Sequence, residues 1–273
     1  MDVAAVRLMA FFGIFLLMAV AEARWPRRAL TQGRQRWPAN LAIVVLNALL
    51  MRLLLPAGAV GVAVWAQGQQ FGLFHVLHLA PSALLLVAAV VLLDLIIYLQ
   101  HRLFHRVPLL WRLHMVHHAD RDIDVTTGLR FHPIEIMLSM LIKAGVILLL
   151  GIPATAVVIF EIVLNGMAMF NHANVRLPAA LDAWLRYLVI TPDLHRVHHS
   201  VIRAETNSNY GFNLSIWDRL FGSWRAAPAL GHARVQIGLA DLQQAPTHRL
   251  LFMLKLPFAN QSGDYAGGAQ TRR

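Results

Sequence analysis

The stretch LQHRLFHRVPLLWRLHMVHH, residues 99–118, follows a long apolar run and carries five histidines in twenty positions. A second group, HRVHH, occupies residues 195–199. Together the two regions hold eight of the fourteen histidines in the chain. Residues three or four positions apart lie on one face of a helix, and the histidines within these groups keep that spacing. The spacing therefore predicts imidazoles that converge on a metal, in preference to solvated histidines beside lipid headgroups.

The composition places these groups in a membrane protein. Hydrophobic residues make up 58% of the 273 residues and charged residues 14%, whereas soluble domains carry about 25% charged residues. The net charge of +10 does not indicate nucleic-acid binding, because the basic residues lie in loops that flank apolar segments, as the positive-inside rule expects. The absence of cysteine excludes disulfides, thiolate ligands and thiol catalysis. Any metal must be held by nitrogen and oxygen.

Several apolar segments predict an all-α integral membrane protein. They cover residues 3–21, 40–65, 81–99 and a hairpin of 134–150 and 154–169. The segment 40–65 is either one kinked span or two short ones, and the hairpin either spans the bilayer or re-enters it. Residues 67–80 carry no Lys or Arg and lie between two arginine-rich loops, which places both histidine groups on the cytoplasmic side, in a bacterial cytoplasmic membrane.

The two ends of the chain carry weaker signals. The AEA that follows residues 3–21 resembles a signal-peptide cleavage site, but the arginine cluster from Arg24 to Arg36 favours an uncleaved anchor. Residues 1–258 are predicted to form a single membrane-embedded domain with its histidine core at about 94–224. Residues 259–273 are predicted to be a disordered tail.

Acidic and polar residues accompany the first histidine group on one helix face. Asp94, Tyr98, His101 and His105 fall within about 60° of one another at 100° per residue. A carboxylate within an apolar span is costly and suggests function. We expect Asp94 to accept a hydrogen bond from a ligand imidazole; the alternative is an ion pair with Arg52.

The hairpin repeats this geometry with Glu161, Asn165 and His172 at i, i+4 and i+11. His172 is therefore predicted to be a further ligand. Glu161 either supports a ligand or pairs with Lys143 at similar depth on the other arm. His132, which precedes Pro133, either begins a helix or contacts the metal. Four other histidines are interpreted as structural: His75, His78, His232 and His248.

The number of imidazoles exceeds what one ion uses, so two ions are predicted. Imidazole suits Zn, Cu, Fe and Ni alike. The chain contains no HExxH sequence, no nucleophile elbow and no phosphate-binding glycine loop, which favours oxygen activation on a lipid that enters from the bilayer. The alternatives are a zinc-dependent membrane hydrolase and a non-enzymatic metal or haem carrier. The carrier would need metal-binding groups across the whole bilayer.

From about Asp94 to Trp224 the sequence resembles the fatty acid hydroxylase/sterol desaturase superfamily of membrane non-haem di-iron enzymes. The resemblance rests on DLIIYLQHRLFH, LWRLHMVHH, GLRFHPIE, FNHANV, TPDLHRVHH and NYGFNLSIWDRLFGSW. It implies about four transmembrane helices with a cytoplasmic helical cap, two Fe ions, and O2-dependent hydroxylation or desaturation of a sterol-like or fatty acyl lipid. No fused haem domain of the cytochrome b5 type is visible, so electrons are expected from a separate ferredoxin or cytochrome with its reductase.

The resemblance also assigns the ligands. They would be His101, His105, His114, His117, His118, His172, His195, His198 and His199. Some family members carry another histidine four residues before the position of His172, where this chain has Ala168, so water or Asn165 is expected there. The three-residue gap between the first two histidines resembles the sterol desaturase branch. The segment 209–224 is expected to pack the cap on the third group, with Asp218 orienting an imidazole or pairing with an arginine.

Overall fold

The computed structural model describes residues 3–259, and within this range the chain is helical. Pairing of extended backbone in residues 3–259 is limited to three isolated bridges. The all-α fold predicted from the apolar segments is thus confirmed. All but the first residue of the predicted tail lies outside the described residues.

Seven helices of eleven or more residues form the body of residues 3–259. They are α1 (Val3–Arg24), α2 (Trp37–Leu54), α3 (Gly58–Gly68), α5 (Ala83–Arg106), α6 (Pro108–His118), α7 (Pro133–Leu150) and α8 (Ala154–Asn171). The shorter helices are α4 (Leu73–Val76), α9 (Ala179–Leu185), α10 (Pro192–His198), α11 (Arg203–Thr206), α12 (Ile216–Leu220), α13 (Gly231–Arg234) and α14 (Leu250–Lys255).

Five helical segments of residues 3–259 are long and apolar enough to cross a membrane, judged by length and composition. They are Val3–Arg24, Gly33–Val76, Ala83–Arg106, Pro133–Leu150 and Ala154–Asn171. The second is broken after Leu54, so that α2 and α3 are separate helices. Of the two alternatives for segment 40–65, the structure therefore has two short helices. The chain is an integral membrane protein with five such segments where about four transmembrane helices were expected.

Helix α5 carries the first histidine pair out of the apolar region. The side chain of Ser82 caps its start by accepting a hydrogen bond from the Leu85 N–H at 3.1 Å. The helix continues to Arg106, past the predicted end of the apolar span at Leu99. Pro108 then opens α6, because its fixed φ suits the first turn of a new helix. The chain therefore folds back on itself between the first and second histidine groups.

The α7–α8 hairpin forms the centre of the membrane region. Gly151 ends α7 in the left-handed conformation, with φ of 69°, and α8 then packs against α1, α3 and α5. Small residues such as Ala63, Ala89 and Ala156 are fully or almost fully buried among these helices, which allows the close approach that membrane helices use. Helix α8 ends at Asn171, so the residue that caps it is His172.

The third histidine group lies on the short helix α10. Thr191 is its N-cap and accepts a hydrogen bond from the Leu194 N–H at 3.4 Å, and Pro192 takes the first helical position. This cap fixes where the single helical turn begins. It therefore sets the direction in which the histidines of 195–199 point.

Candidate metal centre

Two buried clusters of histidine meet where α5, α6, α8 and α10 converge. In each cluster, one ring nitrogen from every histidine lies within 4.8 Å of those of the others. The first cluster consists of His101, His105, His114, His118 and His198, and the second of His117, His172, His195 and His199. The rings of His118 and His199 stack at 4.6 Å, so the clusters adjoin. The structure thus brings together all nine histidines that the resemblance assigned as ligands.

Hydrogen bonds on the outer ring nitrogens orient five of these imidazoles. Four of these Nδ1 atoms face a backbone carbonyl oxygen, which can only accept, so each of the four carries the proton; the fifth faces the Glu135 side chain, which accepts the proton when it is ionised. The pairs are His101 with the Tyr210 carbonyl at 2.8 Å, His114 with the Glu135 carboxylate at 2.6 Å, His117 with the Arg130 carbonyl at 3.3 Å, His172 with the Ala168 carbonyl at 2.7 Å and His198 with the Ser208 carbonyl at 2.7 Å. Metal-binding histidines are typically held this way, since the bond fixes tautomer and ring direction.

The inner ring nitrogens then face one another as lone pairs. Nε2 of His101 lies 3.1 Å from Nε2 of His114 and 3.1 Å from Nε2 of His198. Nε2 of His117 lies 3.0 Å from Nε2 of His172. With the proton on Nδ1, two unprotonated nitrogens at this distance repel each other unless a cation accepts both lone pairs.

Protonation does not relieve this repulsion. Burial lowers the pKa of His114 and of His172 to about 3. It also lowers the pKa of His198 well below the usual value, with nearby histidines adding to the effect. The imidazoles are therefore neutral at physiological pH, which is the form that binds a metal. Both ring nitrogens of His118 and of His199 are buried without a hydrogen-bond partner. The donor set fits two metal ions.

Asp94 has a different role from the one predicted. Its carboxylate accepts hydrogen bonds from the backbone N–H groups of Asn213 (3.3 Å) and Leu214 (3.1 Å) and from Nε1 of Trp217 (2.8 Å). These three donors occupy it instead of an imidazole or Arg52. Asp94 consequently fastens the segment 209–224 to α5, and a contact over more than 100 residues is invisible to helix periodicity.

Asp218 acts on an imidazole through the backbone. Its carboxylate accepts hydrogen bonds from the N–H groups of Tyr210 (2.7 Å) and Gly211 (2.8 Å), and the Tyr210 carbonyl in turn accepts from His101. Burial raises the pKa of Asp218 to about 6, although these bonds and one from Ser223 oppose the shift. Tyr98 bonds to the Ser223 hydroxyl at 2.8 Å. Both residues therefore support the loop behind His101.

The polar residues of the α7–α8 hairpin lie in two places, at the wall of a cavity and at the second cluster. Glu161 forms an ion pair with Lys143 at 2.6 Å, which was one of its two predicted alternatives, and a second one with Arg7 at 2.7 Å. Asn165 donates to the Glu161 carbonyl at 2.8 Å and lines the cavity described below. The second cluster accordingly has four histidines where the first has five, and Ala168 contributes its carbonyl to His172.

The remaining histidines lie outside both clusters. His132 caps the start of α7, and its Nδ1 accepts a hydrogen bond from the Ile134 N–H at 3.2 Å. Of its two predicted roles, His132 thus has the one at the start of a helix. His75 approaches the α7–α8 turn at Gly151, at the other end of the hairpin. His232 lies 3.7 Å from Asp193, and His248 lies 3.4 Å from Gln32.

Two side chains behind the first cluster were missed by sequence reasoning. Glu135, in the first turn of α7, bonds to His114, and the Asn207 side chain faces Nδ1 of His105 at 3.2 Å. Glu135 was visible as the last residue of GLRFHPIE, but only the approach of α7 to α6 shows its partner. Asn207 carried no sequence signal because it follows a four-residue helix.

Gly128 packs against the end of α8 beside His172 of the second cluster. A Cβ there would lie 2.4 Å from the Ala168 carbonyl oxygen and 3.1 Å from Nδ1 of His172. We expect Gly128→Ala to displace this carbonyl, to lower the free energy of unfolding by about 1–3 kcal/mol, and to weaken metal binding by about 10–100-fold. Metal titration against a chelator measures the second effect.

Gly145→Ala is the matched control, because a Cβ at Gly145 meets nothing within 4 Å in the described structure. Alanine in a helix interior is favoured over glycine by about 0.5–1 kcal/mol, so this variant should be at least as stable as the wild type. Equal metal affinity in Gly128→Ala and Gly145→Ala would show that the carbonyl does not position His172.

A cavity of about 400 Å³ opens beside the first cluster, between α1, α2, α5, α7 and α8. His101 and His114 form part of its wall. Most of the remaining wall is apolar, with Phe11, Phe104, Leu129, Met140 and Leu164 among the lining residues. Its volume falls within the range of about 300–1,000 Å³ that small-molecule sites occupy. A reactive group held by the first cluster would therefore face an apolar compartment at membrane depth.

The sequence of this helical, histidine-rich region matches a known family. Residues 86–223, just over half of the chain, match the family described as fatty acid hydroxylase. The chain therefore belongs to the fatty acid hydroxylase family. The match runs from the first turn of α5 through α12 and so includes every histidine of the two clusters.

Curated proteins are similar to about half of the chain. Ornithine lipid hydroxylase OlsE of Rhizobium tropici is 34% identical over 148 residues, which are 54% of this chain and 44% of the relative. Alkylglycerol monooxygenase of Homo sapiens is 30% identical over 130 residues, 47% of this chain and 28% of the relative. The matched region thus spans less than half the length of these relatives. No solved structure matches the chain.

Proposed function

We propose that this protein is a di-iron enzyme that hydroxylates a C–H bond of a membrane lipid with O2. The observation that carries the proposal is the placement of two adjoining histidine clusters, the first of which lines an apolar cavity among membrane helices. The names of the relatives, a lipid hydroxylase and a monooxygenase, support hydroxylation over desaturation. A lipid is the natural occupant because the cavity lies among apolar helices.

The five histidines of the first cluster would hold one iron and the four of the second cluster the other. Two bound iron ions would supply the O2-dependent oxidation chemistry, with electrons from a separate ferredoxin- or cytochrome-type protein and its reductase. We place the clusters on the cytoplasmic side of a bacterial membrane, where such a donor is available.

The protein's own residues prepare the site for this chemistry. The oxygen acceptors behind five imidazoles fix the direction of each Nε2, so little reorganisation is needed when metal binds. Phe131 stacks on the ring of His117 at 4.4 Å, and Phe104 closes the cavity wall beside His101. These apolar contacts exclude water and orient the substrate chain, while the oxidative chemistry belongs to the metal.

Metal content and Mössbauer spectra test this proposal directly. The protein would be expressed with ⁵⁷Fe and purified anaerobically in detergent. Two irons per chain, with a spin-coupled signal that changes on exposure to O2, would support the oxygenase. Stoichiometric zinc without iron, even when iron is abundant during expression, would contradict it and favour a hydrolase.

Glu135 provides a more local test. Glu135→Ala removes the carboxylate that accepts the His114 proton at 2.6 Å. Loss of such a partner typically costs about 10–100-fold in metal affinity or activity, and we expect a loss in that range. Glu135→Gln keeps an acceptor oxygen at the same position and should lose less. Iron retention during dialysis against a chelator measures the effect. If Glu135→Ala and Glu135→Gln retain the same amount of iron, the carboxylate does not support His114 as a ligand.

A further inference from the structure

The far end of the cavity carries charges that the metal chemistry does not use. Lys143 on α7, Glu161 on α8 and Arg7 on α1 all contribute to its wall. The Glu161 carboxylate pairs with Lys143 through Oε1 at 2.6 Å and with Arg7 through Oε2 at 2.7 Å. Glu161 and Lys143 are almost fully buried, whereas the Arg7 side chain is 41% exposed. Two cations therefore share one carboxylate.

This arrangement leaves an uncompensated positive charge. Glu135 is the other carboxylate among the described residues of the cavity wall, and it is bonded to His114. A charged side chain inside a membrane is costly, and where it occurs it usually marks a substrate or ion site. Lys143 has three N–H donors and Arg7 has five, more than the two oxygens of Glu161 can accept at close range. An anion that enters the cavity would find both charge and donors.

The distance from the histidines suits a single lipid chain. Glu135 and Lys143 are eight residues apart on α7, which corresponds to about 12 Å along the helix axis. Because Glu135 contacts His114, the first cluster and the Lys143–Glu161 pair lie at the two ends of the cavity. The wall between them is mainly apolar. A molecule with an anionic end and a hydrocarbon chain matches a cavity with cations at one end and an apolar wall towards the histidines.

We propose that Lys143 and Arg7 bind a carboxylate of the lipid substrate and that the hydrocarbon chain runs from there towards His101 and His114. The inference rests on the proposed function, since it takes the occupant of the cavity to be the substrate. It places the oxidised carbon about 12 Å from the carboxylate, taking 1.5 Å per helical residue. Acidic single-chain lipids are then preferred over neutral lipids of the same length.

Palmitic acid and methyl palmitate test the preference, because they differ in charge and share the chain. Binding to the metal-loaded protein would be measured by native mass spectrometry from detergent micelles, anaerobically and without reductant, so that no turnover occurs. We expect the wild type to bind palmitate at least about tenfold more tightly than the ester, since charge-assisted hydrogen bonds contribute that much. Arg52→Met, which removes a cation outside the cavity wall, should leave the preference unchanged.

Substitutions of the two partners in the ion pair should act in opposite directions. Lys143→Met should weaken palmitate binding by about tenfold and leave methyl palmitate unaffected. Glu161→Gln should strengthen palmitate binding, because it removes the carboxylate that competes for Lys143 and Arg7. A purely structural ion pair predicts damage from both variants and no discrimination between acid and ester. Glu161→Gln keeps the test valid even when Lys143→Met fails to fold.

The outcomes separate this inference from the proposed function. Equal binding of acid and ester to the wild type, or weaker palmitate binding in both variants, would overturn the carboxylate site even when O2-dependent hydroxylation of another lipid is found. A palmitate preference that is lost in Lys143→Met and enhanced in Glu161→Gln would establish the site even when no hydroxylated product forms.

Discussion

His198→Ala is expected to lose metal and activity while the protein still inserts into the membrane. His198 is buried, its Nδ1 bonds to the Ser208 carbonyl at 2.7 Å, and its Nε2 lies 3.1 Å from Nε2 of His101. Removing a partner behind a metal ligand costs about 10–100-fold, so removing a ligand should cost at least about 100-fold in turnover. We also expect iron to fall below two per chain. Metal analysis and O2-dependent product formation on the same preparation measure both effects.

His248→Ala is the control for this experiment. His248 lies outside both clusters and is half-buried beside Gln32. It should keep two irons and near-normal turnover, which separates the loss of a ligand from the loss of any histidine. Membrane insertion of His198→Ala follows from the apolar helices, which this substitution does not touch. Turnover retained in His198→Ala would contradict the assignment of the first cluster.

The sequence predicted those parts of the site that depend on a single helix. The pair His101 and His105 lies one turn apart on α5, and His195 and His198 keep their helical spacing on α10. The division into clusters of five and four was not predictable. His114 and His118 point to one cluster and His117 to the other, because successive residues turn by about 100° and the choice of partner depends on how four helices pack.

Contacts between distant segments account for most of what the sequence did not show. Asp94 bonds to residues about 120 positions away, and Glu135 reaches His114 only through the packing of α7 on α6. The spans themselves were predictable, since apolar length is a property of one segment. The continuation of α5 to Arg106 was not, because its last turns are polar and are buried by the histidine clusters instead of by lipid.

The loop after the second histidine group also depends on a contact between distant segments that the sequence did not show. Residues 120–127 were not assigned a role, yet Arg36 lies fully buried among Asp120, Asp122 and Asp124. Arg36 donates to Asp120 at 2.5 Å and also bonds to Asp124. Burial raises the pKa of Asp120, but Arg36 and Arg130 outweigh that effect and leave the pKa below its usual value. The Asp120 carboxylate is therefore charged and depends on the arginine.

Arg36→Met should accordingly lower the free energy of unfolding by about 3–5 kcal/mol, the range found when one partner of a buried ion pair is removed. The cause is that the carboxylates stay buried without their cation. Since Asp120 lies two residues after His118, we also expect iron to be released at a lower temperature. Denaturant titration in mixed micelles, followed by tryptophan fluorescence, measures the first effect, and metal analysis after heating measures the second.

Arg34→Met is the matched control, because Arg34 lies in the same turn but is exposed and contacts the ring of Trp37 at 5.5 Å. An exposed contact of this kind contributes at most about 1 kcal/mol. Adding Asp124→Asn to Arg36→Met should restore part of the loss, because it removes one of the carboxylates left without a cation. The two substitutions should therefore cost less together than the sum of their separate effects. A loss in Arg36→Met no greater than in Arg34→Met would mean that the buried aspartates do not need the arginine, and that the loop is held by its backbone contacts alone.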